Sequence, residues 1–166
     1  MDLVDVDPRS RFFNENGDSL PPFILDGWRG GVLDPDSFDH AKIPKFLFDS
    51  TVHAARREKV LLRSYTPDSC ASVRLDPSWD IFRAHRFERG NWSLEYVLYD
   101  DTGKWAALLD PDAVVVGAEA ELADRIDAQL YEHGTSLSEL THKSFPDLDP
   151  DKPYNRYYFA VINGRR

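Results

Sequence analysis

Between residues 94 and 131 the hydrophobic period of this chain switches from two to about 3.6, and no other feature restricts its fold so strongly. In SLEYVLYDD, Leu94, Tyr96 and Leu98 fall on one side of an extended backbone and Glu95, Val97 and Tyr99 on the other. Asp100-Asp101-Thr102-Gly103 follows with the chemistry of a hairpin turn, because glycine takes positive φ without a Cβ penalty. KWAALLD then returns antiparallel, and AVVVG adds a short strand beyond Pro111. From 118 to 133 the pattern becomes helical, with Leu122, Ile126 and Leu130 in one apolar stripe. Glu119 and Glu121 stand where the helix dipole favours carboxylates, and Gly134 suits the C-terminal cap. Ser136 and Glu139 then have the spacing of a capping box for a second, short helix.

The flanking segments give weaker patterns. IPKFLFDSTVHAARREKV reads as a helix, with Pro44 suited to its first position and Phe48, Val52 and Ala55 recurring at helical spacing. KVLLRSY, SCASVRL and DIFRAHRFE read as strands, and RYYFAVI as a final strand. Residues 1–39 are loop-rich, with room for one short strand in LPPFILDGWRGGVLD. Five Asp-Pro steps mark turns, yet no repeat or flexible linker divides the chain. These patterns predict a single α+β domain over 1–166, an antiparallel sheet of four or more strands packed by two to three helices. A domain of this length buries roughly 70% of its unfolded surface, so its core needs neither a disulfide nor a metal.

Charge narrows the function classes. The formal net charge is -9, and residues 101–153 hold twelve acidic groups against four basic ones, while residues 51–100 hold seven against eight. Such a chain repels phosphate backbones, so no nucleic-acid partner is expected, whereas a basic protein would be steered toward it. The first residues lack a basic segment leading into an apolar one, and no apolar run is long enough to span a bilayer. With Cys70 as the sole cysteine, the expected setting is cytoplasmic, with no membrane partner.

Catalytic and metal motifs are sparse. DLDPD places Asp147, Asp149 and Asp151 like the start of a calcium loop, but Lys152 and Tyr158 stand where that loop needs Gly and Glu. Asp34, Asp36, Asp39 and His40 form another acidic cluster that also reads as a turn. The five histidines show no paired ligand spacing. His53 with Glu58 reads as helix-surface polarity, and His85 between Arg83 and Arg86 offers at most an anion site on a strand. Cys70 lacks a recognisable catalytic partner, and no nucleophile elbow or phosphate loop is present. No catalytic residue, metal or cofactor is expected.

LYDDTGKWAALLDPDAVVVGAEAELADRI, about a fifth of the chain, resembles a hairpin-and-helix segment common in small bacterial immunity proteins, the antidotes to polymorphic or contact-dependent toxins. Asp100, Gly103, Trp105, Asp110 and Gly117 carry the likeness. The resemblance implies a non-enzymatic acidic inhibitor that occludes the basic surface of a cognate toxin. Its expected contacts are Asp100, Asp101, Asp110, Asp112, Glu119 and Glu121, with Trp105 or Trp92 as an aromatic anchor. Trp105 fits a core position better than an anchor. The rival readings are a regulatory or scaffold module and a small hydrolase or transferase with a dispersed site.

Overall fold

A computed structural model of the chain describes residues 27–35, 43–56, 60–64, 72–88, 96–100, 102–110 and 113–164. Among these residues lie six strands and five α-helices: β1 (Trp28–Leu33), α1 (Lys45–Ala55), β2 (Val60–Ser64), β3 (Ser72–Leu75), α2 (Trp79–Glu88), β4 (Tyr96–Tyr99), β5 (Trp105–Leu109), β6 (Val114–Glu119), α3 (Ala120–Tyr131), α4 (Leu137–Ser144) and α5 (Arg156–Asn163). A 3-10 turn, Pro153–Asn155, leads into α5. The α+β class with an antiparallel sheet is as the sequence predicts.

The strands form one sheet in the order β1-β6-β5-β4-β2-β3, antiparallel at each pairing. The alternation in β4 sorts as its sequence requires. Tyr96 and Leu98 join Trp105, Ala107, Leu109, Val114 and Val116 in a core against α1 to α4. Val97 joins Trp28, Val32, Ala106, Leu108 and Val115 on the opposite face, where Val161 of α5 packs. The central strands are therefore buried on both faces, which explains why β5 and β6 read as nearly continuous apolar runs.

Two segments expected as strands are helices. In α2, alternation in DIFRAHRFE is overridden by the four-residue spacing of Phe82 and Arg86, both buried, with Trp79 one turn before them. Phe82 stacks on Phe48 of α1 at 4.9 Å, and Trp79 meets Phe48 edge-on at 5.6 Å. That aromatic cluster needs helical geometry to form. RYYFAVI likewise has β propensity, but α5 buries Val161 against Trp28 and Val32 of β1. Tertiary packing outweighs a propensity scale that spans only about 1 kcal/mol.

The edge at β1 is closed from α4. Val32 N–H donates to Thr141 Oγ1 at 2.9 Å, and that hydroxyl donates onward to the Leu137 carbonyl at 3.1 Å. Such an approach requires Gly31, where an added Cβ would stand 2.5 Å from the Leu137 oxygen. Asp127 of α3 fastens the same corner. Its Oδ1 accepts from Leu137 N–H at 2.8 Å, and its Oδ2 accepts from Arg29 Nη1 at 2.7 Å. Ser136 Oγ accepts from Glu139 N–H at 3.2 Å, which supplies the expected cap of α4.

Candidate protein-binding surface

The hairpin turn was the first place to seek contact residues, and its carboxylate faces inward. Asp100 is 2% exposed. Its Oδ1 accepts from the backbone N–H of Thr102 at 2.8 Å and of Gly103 at 3.1 Å, and from the Thr102 hydroxyl. Its Oδ2 accepts from Trp105 Nε1–H at 2.7 Å. Gly103 takes φ +61°, as the turn chemistry demands. Trp105 is 1% exposed and belongs to the main core. Asp100 and Trp105 thus organise the hairpin and are not presented to a partner; Trp105 occupies the core position its pattern favours.

The other expected contacts divide. Asp101, Asp112 and Trp92 lie outside the described residues. Asp110 is half-buried at the next turn, where its N–H donates to the Ala113 carbonyl at 3.1 Å. Glu119 ends β6, half-exposed, with Lys104 Nζ 3.5 Å from its carboxylate. Glu121 is exposed in the first turn of α3.

Glu121 belongs to a larger face. α3 turns Leu122, Ala123, Ile126 and Leu130 into the core. At 100° per residue, Glu121, Asp124, Arg125, Ala128, Tyr131 and Glu132 then share the opposite side, and all six are exposed. Tyr131 is 65% exposed, the most open of the large apolar side chains in the described residues. Asp124 is held by Arg29, which reaches over from β1 and also binds Asp127. Burial pushes the Arg29 guanidinium down, but its hydrogen bonds to Asp127 and Asp124 outweigh this and leave it raised above its ordinary value. The result is a helical face with three carboxylates, one of them paired with Arg29, together with Arg125, a tyrosine and a small residue. Asp124, Tyr131 and Glu132 were not among the contacts expected from the turns and the start of the helix. Their signal was present: they are the complement of the Leu122, Ile126 and Leu130 stripe.

The features that would suggest chemistry do not converge in the same way. Arg83 and Arg86, expected to share a strand with His85, point to different surroundings on α2. Arg86 is buried with its guanidinium 4.7 Å from the Tyr96 ring, and burial pushes its pKa down to about 10, a fall that Tyr96 opposes. Arg83 is exposed and lies 5.1 Å from the Phe87 ring. A cleft of about 360 Å³ between α1 and α3 is lined by Asp49, Ser50, His53, Gln129 and His133 among others. Asp49 is paired there with Lys45. Among the described residues no three His, Cys, Asp or Glu side chains are grouped to hold a metal ion, and no helix is long and apolar enough to cross a membrane. Cys70 and Glu58 lie outside the described residues.

No family model matches this chain, and no curated protein or solved structure proves similar to it.

Proposed function

We propose that this chain is a non-catalytic binding protein that occludes a basic protein surface, and that it acts as the immunity protein of a bacterial toxin. The outward face of α3 carries the proposal: Glu121, Asp124 and Glu132 share the side of the helix that holds Tyr131 open to solvent, opposite its buried stripe. Tyrosine gives large contact area at little conformational cost and is enriched among residues that dominate binding energy. Carboxylates on the same face steer a basic partner and set its register. The chain's net charge of -9 acts in the same direction over longer range.

The rival enzymatic reading, a small hydrolase or transferase, draws on the cleft that holds His53, His133, Asp49 and Ser50. One experiment separates the two. The protein is co-expressed with the polypeptide encoded by the neighbouring reading frame, and growth and complex formation are measured. Protection together with a stable complex is expected. Combining Glu121→Lys, Tyr131→Ala and Glu132→Lys should abolish both without changing the melting temperature. Protection that survives this triple change but is lost on His53→Ala would overturn the surface in favour of the cleft. Cells that die without any complex forming would overturn the function itself.

A further inference from the structure

On the far side of α4 from α3, the chain turns from α4 into α5 around an open groove of about 890 Å³. Its floor is aromatic: the Phe145 and Tyr158 rings meet at 4.8 Å, tilted by 51°, and Leu148 extends the apolar wall. Asp147 and Asp149 stand in the lining, and Lys152 is the one cation among the lining residues. The walls are built before any ligand arrives. Leu148 N–H donates to the Phe145 carbonyl at 3.3 Å, while Lys152 N–H and Asn155 Nδ2–H donate to the Asp149 carbonyl at 3.1 and 3.0 Å. Asp149 Oδ1 accepts from Asp151 N–H at 3.0 Å. Asn155, whose side chain ties the loop to α5, is only 4% exposed.

We infer that this groove receives an arginine side chain from a partner polypeptide. A planar guanidinium lies flat on aromatic rings and presents N–H groups at its edge, which is the combination that an aromatic floor flanked by two carboxylates matches. An ammonium is a compact, strongly hydrated charge and would gain less from an open, partly wet site. Among the described lining residues two carboxylates, Asp147 and Asp149, stand with one ammonium, Lys152, so the formal balance is negative and favours a cation. The groove is open on one side, which suits a side chain delivered from a larger surface. The acidic balance of the surrounding segment, twelve acidic groups to four basic over residues 101–153, favours a basic polypeptide as that source. The groove is separate from the outward face of α3, so it adds a second contact to the proposed surface and does not depend on the partner being a toxin.

The test is an NMR titration of the full chain with N-acetyl-arginine methylamide, its lysine counterpart, and the citrulline analogue, which keeps the shape and lacks the charge. Shift changes should concentrate in residues 144–158. Arginine should bind most tightly, with citrulline at least roughly tenfold weaker, because hydrogen bonds to an ionised partner are about twice as strong as neutral ones. Joint Asp147→Asn and Asp149→Asn should weaken arginine binding by about tenfold without altering the thermal melt, since Asn can still accept from Asp151 N–H. Equal affinity for arginine and citrulline, shifts centred elsewhere, or no saturable shift would each overturn the inference. A lysine probe that binds as well as arginine would overturn the stacking argument at its centre. The α3 variants should leave probe binding intact, so failure of the groove and failure of the toxin reading are separately visible.

Discussion

Asp100 and Asp149 each accept a backbone N–H two residues ahead and so shape a tight turn, at 2.8 and 3.0 Å. The similarity ends there. In Asp100 the second oxygen is turned into the protein and taken by the Trp105 indole. Asp149 stands half-exposed in the lining of an open groove. A carboxylate that organises a turn is consumed by the fold in one region and offered to solvent in the other. What decides between them is the residue opposite: a tryptophan at the start of β5 draws Asp100 inward, whereas around Asp149 the chain places Pro150 and Asp151 in exposed positions. Acidic turns in a sequence are therefore not equivalent candidates for binding.

The sharpest way to break this contrast is Asp100→Ala. It strands the buried Trp105 N–H and removes the side-chain acceptor of Thr102, while the Gly103 N–H keeps the Asp100 backbone carbonyl at 3.2 Å, and it should cost about 3 kcal/mol, read from urea unfolding. Asp100→Asn should fall between alanine and the parent, because one amide oxygen cannot serve both the turn and the indole. If Asn were as stable as Asp, the division of labour between the two oxygens would be wrong. Next in size is Asp127→Ala, which removes the acceptor for Leu137 N–H and one partner of Arg29. The ion pair is partly exposed and is discounted accordingly, so a loss of about 2 kcal/mol is expected from the same measurement. Gly31→Ala presses a methyl group against the Leu137 carbonyl and should cost about 1–3 kcal/mol, with the loss of hydrogen-exchange protection confined to β1 and α4. At the small end, Asp147→Asn and Glu121→Lys should each change stability by less than about 0.5 kcal/mol, since both side chains are exposed. A large effect from either would place it with Asp100.

The hairpin was legible from sequence because everything that forms it is local. Asp100, Thr102, Gly103 and Trp105 lie within six residues and need no distant partner. The α3 stripe was legible for the same reason, as was the Ser136 cap. The two segments misread as strands depend on surfaces far away in the chain: Phe82 needs Phe48, and Val161 needs Trp28. The position of β1 beside β6 rests on pairs such as Trp28 with Glu119, which no window of sequence contains. Among the candidate contacts, turn chemistry showed that Asp100 would be engaged but not that it would be buried, because burial is set by the sheet behind it. The outward face of α3 could have been read directly, since it is whatever its buried stripe leaves over.

The single hydroxyl of Thr141 has a consequence for how this chain avoids itself. An edge strand with unpaired N–H groups is a template on which another molecule can add a strand, and β1 is long and largely apolar. Thr141 occupies the Val32 N–H, and α4 is seated over that side of the strand. Until α4 has docked, the edge is open, so the docking of α4 closes one route to aggregation. Thr141→Val keeps the shape of the side chain and removes both the acceptor for Val32 N–H and the donor to the Leu137 carbonyl. It should leave the native fold standing while lowering the yield of refolding as protein concentration rises.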